Sequence, residues 1–174
     1  MDEPVVVRRL GRADLDAYKA LRDTMLQAHP DAFTSDAVTE RAKAPIAYLD
    51  RLGLDRPEGG HFTLGAFHGD ELVGAISCER DGRVKVRHIG HIIGMMVRDQ
   101  ARGNGVGRVL LERSVALARE ADGLELLTLS VTAGNTAAER LYESAGFQLY
   151  GTLKRAIKLG NTTTLDKNLM SLPL

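Results

Sequence analysis

Three glycines at alternate positions, Gly103, Gly105 and Gly107, stand between two arginines, Arg102 and Arg108. An apolar run, Ile92 to Val97, leads into this stretch and an amphipathic run, Val106 to Ala121, leads out. The order is strand, glycine-rich loop, helix. Such a loop strips side chains from a place where a ligand can meet main chain. The free N–H groups and positive dipole end of the following helix favour an anion, so the chemistry indicated is a phosphate cradle. A nucleotide P-loop needs Gly-Lys-Ser or Gly-Lys-Thr at its end, whereas Gly107 is followed by Arg108 and Val109. A dinucleotide fold needs G-x-G-x-x-G and an acid on the next strand. The glycine spacing here is wrong, and Glu125 falls at that strand's start. A plain tight turn needs one or two glycines rather than three alternating ones.

Other chemistry-bearing residues are few. Of the five histidines, only His88 and His91 are close in sequence. On a strand their odd spacing sends the rings to opposite faces, so no metal site is expected. His91 interrupts the alternating apolar series Ile89, Ile93, Met95, Val97 and titrates in the range useful to a general base. A hydrogen-bonded structural histidine explains it too. Cys78, the one cysteine, sits in a strand-like run and reads as buried packing.

The chain that must position these groups has 174 residues, enough for one domain with a sizeable core. Lys plus Arg is 23 and Asp plus Glu is 23, a zero net charge that argues against a broad nucleic-acid footprint. No uncharged apolar run approaches the ~18 residues of a membrane span. The start, Met1-Asp2-Glu3-Pro4, lacks the basic-then-apolar order of a signal peptide. With a single cysteine, the expected address is the cytoplasm.

Val5 to Leu10 reads as a first strand. A helix begins at Asp14 and carries Leu15, Tyr18, Leu21 and Met25 on one face. A second helix is expected from Ala37 toward Leu52, interrupted at Pro45. Strands follow at Phe62–Phe67 and Leu72–Cys78 around a Gly69-Asp70 turn, then at Val84–Val97. After the loop, the helix from Val106 presents Val106, Leu110, Ser114, Leu117 and Ala121. A strand at Leu124–Val131 leads to a helix opened by Asn135, a favoured N-cap residue. Gly146 suits that helix's left-handed stop. Two strands, Leu149–Leu159 and Leu165–Leu172, flank a Gly160-Asn161 turn. The expectation is a single mixed α/β domain over residues 1–174.

Val97, Arg102, Gly105 and Gly107 fall on the fixed positions of V-x-x-x-x-[QR]-x-x-G-x-[GA], the acetyl-coenzyme-A signature of the GNAT superfamily of N-acetyltransferases. Downstream, Asn135 to Phe147 resembles that family's N-x-x-A-x-x-x-Y-x-x-x-G-F. The resemblance implies a mostly antiparallel sheet of about seven strands, splayed between the fourth and fifth, with about four helices. It implies that the main chain of Met95, Met96 and Val97 pairs with the pantetheine of acetyl-CoA. The amides of Arg102, Gly103, Asn104, Gly105, Val106, Gly107 and Arg108 would hold the pyrophosphate, and Asn135 would order the cofactor. By the same resemblance Tyr142 is the general acid that protonates the leaving thiolate. A thiol near pKa ~8.5 and a phenol near ~10 are compatible partners. A core tyrosine is the plainer reading of the same helix face.

An N–H of Met96 or Val97 would receive the developing oxyanion. The attacking amine must be neutral, which for an alkylamine costs roughly 4 kcal/mol at pH 7. Many relatives supply a glutamate on the fourth strand; here His91 or Glu79 is the candidate base. The acceptor is shaped in the family by Leu21 to Leu54 and the Gly160 hairpin. There Asp31, Asp36, Glu40, Asp50 and Asp55 could attract a cationic amine, or form a solvated face. Polyamines, aminoglycosides, amino acids and protein N-terminal or lysine amines all stay open as acceptors. Homodimers are common in the family. The competing readings are an idle acyl-CoA-binding module and a dinucleotide-binding oxidoreductase.

Overall fold

The computed structural model describes residues 4–174, so the reading of Met1 to Glu3 lies outside the described residues. One seven-stranded sheet runs in the order β1-β2-β3-β4-β5-β7-β6. Its strands are β1 (Val6–Arg9), β2 (Phe62–His68), β3 (Glu71–Arg80), β4 (Ile89–Val97), β5 (Leu126–Thr132), β6 (Gln148–Leu159) and β7 (Thr163–Pro173). Every neighbouring pair is antiparallel except β4 and β5. The α-helices are α1 (Leu15–Ala28), α2 (Ala37–Arg41), α3 (Val106–Glu120) and α4 (Thr136–Ser144).

The sheet separates two apolar layers. Alternation along the strands sends Leu64, Ile76, Cys78, Ile92, Leu127 and Leu129 to the face covered by α3 and α4. Tyr18, Leu21 and Met25 of α1 pack with Ala75 and Met96 on the other face. Cys78 is fully buried among the first group. Burial pushes its thiol up to about 12, which suits packing and not nucleophilic work.

Three local expectations change. The fourth strand begins at Ile89, not Val84. The Asp81 carboxylate accepts from the Arg83 N–H, and successive turns close from Arg83 to Val86 and from Val86 to Ile89. His88 therefore sits before the strand, and the opposite-face argument does not apply to it. The second helix is only α2 followed by two 3-10 turns, Pro45–Tyr48 and Asp50–Leu52, because Pro45 restarts the chain. On α3 the buried row is Val106, Leu110, Leu111, Ser114, Val115 and Ala118, turned slightly from the expected face, with Leu117 half-buried. Among the described residues no helix is long and apolar enough to cross a membrane.

Candidate active site

β4 and β5 pair over three rungs, Ile89↔Leu126, Gly90↔Leu127 and His91↔Thr128. Beyond His91 they part. β5 keeps its other neighbour, β7, as far as Thr132↔Lys167. β4 slips register against β3 between the Ser77↔Ile93 and Ala75↔Met96 pairs, where Gly94 takes φ +59°. An extra residue bends a bulged strand, and only glycine adopts this conformation cheaply. The result is a cleft of about 910 Å³ walled by Ile92–Val97 of β4 and Ser130–Thr132 of β5. The two strands present main chain to each other without pairing, which is how an extended ligand is held as an added strand.

The glycine loop closes one end of this cleft. Gly103 and Gly105 have φ of +79° and +77°, and a Cβ on either would meet nothing within 4 Å. Their requirement is conformational. Gly107 is helical, and its Cβ would stand 3.2 Å from Met95 Cε and 3.4 Å from Leu141 Cδ2. It is the packing glycine of the three. The first hydrogen bond of α3 runs from Val109 N–H to the Gly105 carbonyl. Among the described residues the N–H groups from Gly103 to Arg108 have no partner in the protein. That is an anion-binding nest at a helix N-terminus. The flanking cations are tempered: Arg102 Nε lies 3.1 Å from Asp99, and Arg108 Nε lies 2.8 Å from Glu112. Arg102, Gly103, Gly105, Val106, Gly107 and Arg108 line the cleft with Met95, Met96 and Val97. Asn104 does not, and its amide donates to the Arg102 carbonyl at 3.4 Å.

The far wall is α4. Asn135 is its N-cap, accepting from the Ala138 N–H at 3.4 Å, and it also lines the cleft. Gly146 (φ +97°) ends the helix. The Phe147 and Gly146 N–H groups bond back to the Tyr142 and Glu143 carbonyls at 3.1 and 3.0 Å, the paired bonds of a Schellman stop. This turn sets Phe147 edge-on to Tyr142, with centroids 6.1 Å apart. Tyr142 is 7% exposed and lines the cleft. Burial pushes its hydroxyl up to about 12, so it is a protonated donor at neutral pH.

His91 stands at the fork's last paired rung. Its Nδ1 is 2.6 Å from Thr128 Oγ1, and the ring is outside the cleft lining. Glu79 is its partner on β3, so the two candidate bases share one face, and Glu79 lies 3.5 Å from Arg51. Of the five acids expected to attract a cationic amine, only Asp31 lines the cleft. Asp36 caps α2 by accepting from Thr39 N–H, and Asp50 pairs with Arg56. Glu40 is buried, accepting from Arg22 Nε at 3.0 Å and Tyr48 at 2.6 Å. The sequence reading missed Gly94, Thr132 and Lys167. A glycine inside an apolar strand is itself a bulge signal and could have exposed the first.

The same fold recurs in an acetyltransferase of the GNAT family from Streptococcus pneumoniae, with a TM-score of 0.84 at 25% identity over 98% of this chain and 100% of that one. It recurs in yncA of Salmonella typhimurium, a putative acetyltransferase solved with acetyl-CoA, at a TM-score of 0.84, 21% identity, 98% of this chain and 94% of that one. The forked sheet is the fold of GNAT acetyltransferases. Residues 18–147 match the acetyltransferase (GNAT) family, and the chain belongs to it. A mycothiol acetyltransferase of Salinispora arenicola is 32% identical over 136 residues, 77% of this chain and 41% of that protein. The chain spans 41% to 61% of the length of three curated relatives that it matches.

Proposed function

We propose that this protein moves an acetyl group from acetyl-CoA to a primary amine by direct attack in a ternary complex. The observation that carries the reading is the fork itself. Its open strand edges run between a nest of free amides at one end and Tyr142 on the opposite wall. Acetyl-CoA supplies an activated thioester carbonyl. The main chain of Met95, Met96 and Val97 pairs with the pantetheine, and the amides of the glycine loop take the pyrophosphate. Asn135, while capping α4, orders the cofactor. An N–H of Met96 or Val97 meets the charge that develops on the carbonyl oxygen.

Tyr142 then protonates the departing sulfur. A phenol at about 12 is a weak acid for a thiolate in water. The cleft changes the comparison, because burial disfavours both anions. His91 accepts the amine's proton through water, with Glu79 beside it. A pH–rate profile of His91→Ala that overlays the wild type removes His91 from this role.

The test is acetyl-CoA against NAD(P) in a thermal-shift comparison, followed by thiol release across an amine panel. Stabilisation by acetyl-CoA alone, with thiol released only when an amine is present, is the expected result. Stabilisation without release for any amine would make the protein an idle acyl-CoA-binding module.

A further inference from the structure

Beside Ser130 and Thr132, which line the cleft, stands Lys167, a cation with no counter-ion among the described residues. Lys167 on β7 faces Thr132 of β5 across the ladder and so shares a sheet face with Thr132 and Ser130, both of which line the cleft. Its ammonium donates to Thr34 Oγ1, from the α1–α2 loop, and to Ser130 Oγ at 3.4 Å. Three elements thus bring one ammonium and two hydroxyls together. Among the described residues no carboxylate lies within ion-pair reach of it. The adjacent Asp166 is committed to Lys154 and to the Arg155 N–H. Burial lowers the Lys167 pKa with no ionic partner to offset it.

The hydrogen-bond count shows what would complete this cluster. The two hydroxyls accept from the ammonium, and each keeps its own proton to give away. The ammonium retains a third N–H. The unused N–H and the two hydroxyl protons are three donors beside one positive charge, so the group that best complements them is an anion with more than one oxygen. A ligand carboxylate would also neutralise a half-buried charge, which otherwise costs free energy. Asp31, which lines the cleft and is tied by its main chain to Thr132, is an acid on the same rim and offers the opposite charge to an ammonium. Polyamines and aminoglycosides, with several cations each, would set positive charge against Lys167.

Resting on the acetyl-transfer reading above, we propose that the acceptor is a small amine that also carries a carboxylate, such as an α-amino acid. Lys167, Ser130 and Thr34 bind that carboxylate and so select the substrate.

The experiment measures thiol release by the full chain with L-amino acids and their carboxamides as matched acceptors. An amide's amine is the weaker base, so the raw preference is biased toward it. The change in the acid-to-amide ratio of kcat/KM on mutation cancels that bias. Lys167→Met should lower the ratio about tenfold to a hundredfold, the range for losing a charge-assisted hydrogen bond. Lys167→Arg should keep most of it. Should Lys167→Met fail to fold, Ser130→Ala carries the test, with a ratio lowered by about threefold or more. A lysine that merely tethers the α1–α2 loop would depress both acceptors together. A ratio unchanged within about twofold overturns the proposal. So does turnover of polyamines with none of amino acids, which leaves the acetyl-transfer reading intact. Acetyl-CoA binding without thiol release for any amine overturns that reading and this proposal with it.

Discussion

Thr132 Oγ1 donates to the main-chain carbonyl of Asp31 at 2.7 Å, joining residues 101 positions apart. The bond ties the loop between α1 and α2 to β5 at the rim of the cleft. Asp31 is exposed, so its carbonyl can turn to water when the bond is lost, and the stability cost of Thr132→Val is about 1 kcal/mol at most. The effect on function is expected to be larger than that on folding. Amide hydrogen exchange in residues 31–36 should accelerate, and KM for the acceptor should rise more than KM for acetyl-CoA. Equal rises in both would mean that the loop does not shape the acceptor site.

Glu40 accepts hydrogen bonds from three different side chains, Arg22, Lys43 and Tyr48. Burial alone would raise its pKa, but hydrogen bonds from Lys43, Tyr48 and Arg22 outweigh it and hold the carboxyl at about 2. Its salt bridge with Arg22 is closed to solvent, at 6% and 5% side-chain exposure. Glu40→Gln leaves the Arg22 charge buried and uncompensated, and should cost about 3–5 kcal/mol. The pKa is depressed on folding, so the stability is fully present above the ordinary 4.5 and is lost as pH falls toward about 2. Urea midpoints for wild type and variant should therefore converge over that window. A gap that stays constant down to pH 2 would show that charge is not what Glu40 contributes.

The contrast between Glu40 and the glycine loop shows what a linear sequence discloses. The loop's function lies in main-chain conformation over consecutive residues, and glycine spacing reports that directly. The place of Tyr142 on the buried face of its helix was legible from Ala138, Leu141 and Ala145 and the stop at Gly146, whereas its role as an acid rests on the family resemblance alone. Glu40 looks like a surface acid, since its partner Arg22 lies on another helix and nothing near it in sequence signals the pairing. Lys167 is the same kind of case: its hydroxyl partners come from positions 34 and 130. The late start of β4 was hidden because Val84 and Val86 alternate like a strand, while the Asp81 side chain diverts the chain into turns.

Gly105 and Gly107 should fail for different reasons. Gly105→Ala puts a Cβ into open space but forces it to φ +77°, costing about 1–2 kcal/mol of stability. Gly107→Ala keeps an ordinary helical φ and gains up to about 1 kcal/mol in helix propensity. Its Cβ would press on the flexible end of Met95 at 3.2 Å, on the cleft wall. Both variants should weaken acetyl-CoA binding in calorimetry, while only Gly105→Ala lowers the melting temperature. Wild-type affinity in Gly107→Ala would mean that ligand does not come close to that wall.

Tyr142→Phe separates chemistry from binding. The lost oxygen makes no hydrogen bond within the described residues, and the ring's packing on Phe147 is kept, so the folded protein at neutral pH should be nearly unchanged. General-acid assistance contributes about 10²- to 10⁴-fold, and kcat should fall within that range while the Kd for acetyl-CoA moves by less than about threefold. The alkaline side gives an independent check. Burial raises the Tyr142 pKa on folding, from an ordinary 10.0 to about 12. A raised pKa means that its stability contribution is whole below about 10 and is lost as pH climbs through about 12. Tyr48 and Cys78, both also pushed up to about 12, add to the same alkaline loss. Wild-type urea midpoints should therefore drop over this interval, and Tyr142→Phe should make the drop shallower. If kcat is preserved in the variant while the alkaline drop becomes shallower as expected, Tyr142 is a core residue of the cleft wall and the leaving thiolate finds its proton elsewhere.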